Sequence, residues 1–126
     1  MKLIIKSLVI VIFALVLMVF SGCRFKPLSI EEAKSNLENA GYTVEIIEGS
    51  IFVDSEDNPY PFIMSTELDK YLVATKDNEE IHMYFFYSTD NASSNYSMMN
   101  DSKLKSGQNN KLVYFGTKQA ITDAGL

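Results

Sequence analysis

The chain has 126 residues and is acidic, with 16 Asp and Glu against 11 Lys and Arg, for a formal charge of −5. Phosphate neutralisation needs clustered Lys and Arg, so nucleic acid is excluded as a partner. A single cysteine and a single histidine exclude an intrachain disulfide and leave too few thiolate or imidazole ligands for a zinc-type centre, so neither metal nor cofactor is expected.

In chain order, the first segment carries Lys2 and Lys6, then an unbroken apolar run over residues 8–20, then Ser21-Gly22 and the lone Cys23. Basic start, apolar stretch and small residues at a cut make up a secretory signal peptide. With cysteine directly after the cut, residues 1–23 resemble the signal of a bacterial lipoprotein, although Phe20 stands where that pattern usually has Leu, Val or Ile. The resemblance implies cleavage between Gly22 and Cys23 and transfer of a diacylglyceryl group, with palmitate-type chains, to the Cys23 thiol. The protein would then sit on the extracytoplasmic face of the cell membrane, and two acyl chains hold such an anchor stably. The alternative is an uncleaved anchor, but residues 3–20 as a helix reach only about 27 Å, barely a bilayer core.

The expected organisation is a signal peptide over 1–22, a short lipidated tether over 23–28, and one small domain over 29–126. The 126 residues less 22 leave 104, the usual size of one domain and enough for a modest core. Losing Lys2 and Lys6 takes the charge from −5 to −7. An anionic leaflet repels such a domain, with Arg24 and Lys26 beside the anchor as a local exception.

The first helix is announced by Ser29-Ile30-Glu31-Glu32, a capping box. Ile30, Ala33, Leu37 and Ala40 then share one face, and Gly41 is placed to end the helix in a left-handed conformation that returns Tyr42 towards Leu37. A β-branched strand over 43–47 follows, then a break at Gly49-Ser50 and a short apolar piece, Ile51-Phe52-Val53, that reads as a further strand. Residues 54–61, with two prolines, form a loop. A hairpin is expected from strands 70–75 and 80–87 around the turn 76–79. A second helix starts at Ser88 or Thr89, with Ala92, Tyr96 and Met99 as its apolar positions. Residues 106–110 read as a loop, 111–115 as the last strand, and Thr117 as the cap of a short helix carrying Ala120, Ile121 and Ala124. The sum is an α+β fold, a single two-layer domain with a mainly antiparallel sheet and helices on one face.

Chemistry is sparse. His82, the only imidazole, alternates with Ile81 and Met83 in a strand, and no Gly-x-Ser-x-Gly elbow supplies a nucleophile for it. Residues 54–58 carry acids and Asn but lack the spacing and mid-loop glycine of a calcium loop. Glu31/Glu32 and Glu79/Glu80 are adjacent in sequence, so their side chains diverge. Asn91, Asn95 and Asn100 fit the glycosylation sequon, which carries little weight behind a bacterial-type signal.

The aromatic residues carry more. Tyr84-Phe85-Phe86-Tyr87 alternate between the two faces of one strand, and Tyr60, Phe62 and Met64 lie in or after the proline loop. Either the strand is central and both faces are buried, or Tyr60, Phe62, Tyr84 and Phe86 form an exposed interaction surface.

Beyond the signal, Leu37-Glu38-Asn39-Ala40-Gly41-Tyr42, Tyr71-Leu72-Val73-Ala74-Thr75-Lys76 and a Phe/Tyr-rich strand before an Ala-containing helix resemble small Gram-positive lipoproteins of unassigned activity. That resemblance implies a fold and an address, with no catalytic residues. The expectation is a membrane-anchored, non-enzymatic module that binds an envelope protein or component. A ligand-binding or enzymatic domain with residues 54–64 as a lid is the alternative, marked by a concave pocket with converging polar groups. A third reading is a homodimer formed through residues 80–87.

Overall fold

A computed structural model describes residues 27–126; Gly22, Cys23 and the whole signal segment lie outside the described residues. The first helix, α1 (Ile30–Asn39), starts as its sequence dictates, with the Ser29 hydroxyl accepting from the Glu32 amide at 3.1 Å. It ends in a Schellman motif. Gly41 is left-handed at φ 94°, its amide donates to the Glu38 carbonyl, and the Tyr42 amide donates to the Leu37 carbonyl at 2.9 Å. The Lys76 ammonium closes this end by donating to the Ala40 carbonyl at 2.7 Å, a cation where the helix dipole favours one.

Strand β1 (Thr43–Glu48) leads into a five-residue helix, α2 (Gly49–Val53). The short strand expected over 51–53 is therefore a helical turn. Its physical reason lies across the chain: β1 pairs with the next strand only as far as Glu48↔Lys70, and beyond that point the partner strand bulges and offers no continuing ladder. Coiling residues 49–53 instead returns Phe52 to the sheet, where it is fully buried.

Residues 54–67 form a loop braced by its own polar groups. Ser55 donates to the Phe52 carbonyl at 2.7 Å, Asn58 to the Val53 carbonyl at 3.1 Å, and the Asn58 side-chain oxygen accepts from the Tyr60 amide at 2.9 Å. The expected hairpin follows as β2 (Leu68–Lys76) and β3 (Glu79–Phe86), with Asp77 left-handed in the turn. Near its start β2 carries one extra residue between Leu68 and Lys70. The bulge shifts the alternation, so Leu68 and Tyr71 face the same side.

Helix α3 (Thr89–Tyr96) is capped by the Ser88 hydroxyl, which accepts from the Asn91 amide at 3.0 Å. Residues 106–110, expected as a loop, mostly belong to an edge strand, β4 (Lys105–Asn109), paired with β5 (Leu112–Gly116). Its polar sequence hid it, because an edge strand with little buried surface needs no apolar alternation. Helix α4 (Lys118–Ala124) ends the chain after Thr117, whose hydroxyl donates to the Glu79 carboxylate instead of capping the helix.

The sheet is antiparallel throughout, in the order β1-β2-β3-β5-β4. The α+β class and the antiparallel sheet match the expectation; the helices, expected on one face, cover both. Ala33 and Leu37 of α1 and Ala120 and Ala124 of α4 pack on Leu72, Ala74, Ile81, Met83 and Leu112. Phe52 of α2, Ile63 of the loop and Ala92 of α3 cover the opposite face, built from Leu68, Tyr71, Tyr84, Phe86, Val113 and Phe115. Both faces of β2, β3 and β5 are apolar, so each requires a cover.

Candidate functional site

The aromatic face contains a small recess, and strand register explains its walls. Tyr71 of β2 pairs with Tyr84 of β3, and His82 pairs with Val73 on one side and Phe115 of β5 on the other. His82 and Tyr84 are two residues apart and so project from the same face. Tyr71 is held by Phe52, stacked at 3.8 Å between ring centroids. Tyr60, delivered by the loop, meets Tyr84 edge-on and Phe115 at a tilt, each at 5.9 Å.

Between these rings lies a cavity of about 80 Å³. Tyr60, Tyr71, Tyr84 and Phe115 supply aromatic walls, His82 supplies an imidazole edge, and Asp57, Pro59 and Asp101 form the rim. The loop 54–64 therefore borders a concavity with converging polar groups.

His82 is tied down at both ring nitrogens. Its Nδ1 lies 2.6 Å from the Tyr71 hydroxyl and its Nε2 lies 2.9 Å from a Glu80 carboxylate oxygen. With a neutral ring the set is self-consistent: Tyr71 donates to Nδ1, and Nε2–H donates to Glu80. Each ring nitrogen therefore already has a partner within the protein. The phenols are unsuited to act as bases. Burial pushes the Tyr71 hydroxyl far above its ordinary value, with Asp57, Glu45 and Glu80 adding to the effect. Burial does the same at Tyr84, helped by Tyr71, Tyr60 and Asp101, and raises Tyr60 together with Asp101. All three remain neutral hydroxyls.

The exposed aromatic surface is not formed. Tyr60, Tyr84 and Phe86 are 8%, 2% and 3% exposed, and of the four candidates only Phe62, at 37%, reaches solvent. The reason is the second cover: α2, α3 and the loop enclose the face on which Tyr84 and Phe86 stand. Strand β3 also lies between β2 and β5, so residues 80–86 offer no free edge to a second copy. Tyr71, Asp101 and the His82 hydrogen bonds were not singled out from sequence, and Asp57 entered only within residues 54–58 as an unfit calcium loop. The hairpin register alone places Tyr71 next to His82; nothing in the sequence places residues 57 and 101 there.

A larger groove of about 530 Å³ runs beside the start of the described chain, walled by Leu28, Ile30, Phe85 and Leu112 with Lys70 and Lys111 at its edges. Among the described residues no three His, Cys, Asp or Glu side chains gather as a metal site, and no helix is long and apolar enough to cross a membrane. No protein-family model, curated protein or solved structure matches the chain.

Proposed function

We propose that this chain is a lipid-anchored protein of the extracytoplasmic membrane face whose domain is a non-enzymatic binding module, with the recess beneath residues 54–64 as its ligand site. The observation that carries the anchor is the order Lys2, Lys6, apolar residues 8–20, Ser21-Gly22 and Cys23. Cys23 would receive the diacylglyceryl group. The tether is short: six residue steps separate Cys23 from the Ser29 cap, a span of at most about 20 Å. That length keeps the domain within reach of the lipid surface and of membrane-proximal partners.

A binding role is favoured over catalysis because both His82 nitrogens are engaged and the recess phenols hold their protons. Binding needs only shape and charge from such a recess. The test of the anchor is intact mass after expression in a bacterial host, for the native chain and Cys23→Ala. A species starting at Cys23 with added diacylglyceryl mass is expected, and retention of Met1 without lipid in the native chain overturns the anchor.

A further inference from the structure

The recess has an unusual balance of groups for its size. Its walls are the faces and edges of four aromatic rings, and its charged members, Asp57 and Asp101, are both acids. Among the described residues no lysine or arginine lines it. An anion entering meets two carboxylates and the electron-rich faces of the rings, whereas a cation is attracted by both.

A second, independent feature is the Tyr84 hydroxyl. Tyr84 is only 2% exposed, yet no hydrogen bond joins its hydroxyl to another described residue. Tyr84 is one of the residues that line the recess. The neighbouring hydroxyls are already used: Tyr71 is bonded to His82, and Tyr60 donates to the Asn100 carbonyl at 3.3 Å. Tyr84 thus stands in the wall of an acid-rimmed pocket, and its hydroxyl has no hydrogen-bond partner among the described residues.

We propose that the recess binds an alkylammonium group, with the nitrogen over the aromatic walls, one N–H donated to the Tyr84 hydroxyl and the charge balanced by Asp57 and Asp101. The inference rests on the reading of the recess as a ligand site and adds the ligand's chemistry. The recess is small, about 80 Å³, so a short amine is the natural probe.

The experiment titrates the full lipidated chain, held in a maltoside detergent that carries no ammonium group, with ethylammonium chloride. Ethanol and sodium acetate serve as the neutral and anionic controls. The chain has no tryptophan and seven tyrosines, three of which line the recess, so tyrosine emission detects binding without tryptophan overlap and aromatic NMR resonances locate the site. Saturable perturbation of Tyr60, Tyr84 and Phe115 by ethylammonium, with weaker binding at high salt, is expected. Asp101→Asn and Asp57→Asn should each weaken binding about tenfold, the scale of one lost charge contact. Tyr84→Phe keeps the ring and should weaken it less, while Ser35→Ala, exposed on α1 over the opposite face of the sheet, should leave it unchanged. Circular dichroism of each variant separates lost binding from lost folding, and Asp57, being exposed, is the variant least able to disturb the fold.

Equal or tighter binding of ethanol or acetate at these residues overturns the ammonium assignment and leaves the recess as a ligand site. No saturable binding of any probe there overturns both. A chain that binds ethylammonium but carries no lipid on Cys23 loses only its anchor.

Discussion

Gly49→Ala sets two opposed effects against each other, and the structure decides the sign. Gly49 opens α2 and its backbone is not left-handed, so helix propensity alone favours alanine by at most about 1 kcal/mol. The packing says otherwise. A Cβ on Gly49 would stand 1.9 Å from the Leu68 carbonyl oxygen and 2.5 Å from its carbon, where ordinary contact begins at 3.4 Å. The two backbones would have to part by about 1.5 Å, and neither can yield by rotating a side chain. The Leu68 carbonyl belongs to the β2 bulge, and α2 carries Phe52 onto Tyr71 at 3.8 Å, so the displacement also loosens the aromatic core. Overpacking of this kind costs about 1–3 kcal/mol and more where backbone must move. The expected net loss is about 2–4 kcal/mol, a large part of a small domain's stability, and a fall in Tm of at least about 8 °C. Urea and thermal unfolding followed by circular dichroism measure it. Gly41→Ala is the control, because its Cβ meets only the flexible Lys76 side chain at 3.5 Å and its cost comes from φ 94° alone, about 1–2 kcal/mol. A Gly49→Ala protein as stable as the native chain would refute the close approach of α2 to β2.

Three further outcomes are expected. Phe52→Ala should cost about 3–5 kcal/mol, because a fully buried ring is lost together with its stack on Tyr71 and its edge contact with Tyr84; urea denaturation with an unchanged slope would measure it, and a loss below about 1 kcal/mol would contradict the burial. Ser29→Ala removes the acceptor of the Glu32 amide and should cost about 1 kcal/mol, read as a shift in the denaturation midpoint. Stability should also decline at alkaline pH. Burial and the hydrogen bond to Asp123 at 2.8 Å push Tyr42 from an ordinary 10.0 up to about 12. Between those values the unfolded chain has lost the proton and the folded chain keeps it, so stability is intact below pH about 10 and drains away as pH climbs towards about 12. Tyr60, Tyr71 and Tyr84 are raised as well and add in the same direction. Unfolding midpoints and phenolate absorbance recorded together test this. Release of these protons without unfolding would contradict their burial, and Tyr42→Phe should flatten part of the decline.

What the sequence carried was local. The Ser29 cap, the Gly41 stop, the Ser88 start and the turn at 76–79 each depend on residues within a few positions of one another, so the side chains and glycines that make them are visible in order along the chain. The hairpin turn even implied the Tyr71↔Tyr84 register. The α2 turn, the β4 edge strand and the second helical cover were not legible. Ile51-Phe52-Val53 favours a strand by composition, and only the end of the β1–β2 ladder makes it coil. Lys105–Asn109 gains its strand identity from β5, not from its own pattern. The recess depends on the same kind of information, because Asp57 and Asp101 join Tyr84 in its lining from a loop and a post-helical segment far apart in the chain. Composition and short-range chemistry therefore determined α1, the hairpin, the starts of α3 and α4, the acidic charge and the resemblance to a lipoprotein signal. Contacts between residues far apart in the chain decided which faces are covered, and so chose between the two readings of Tyr60 and Tyr84, placing them in the walls of a pocket.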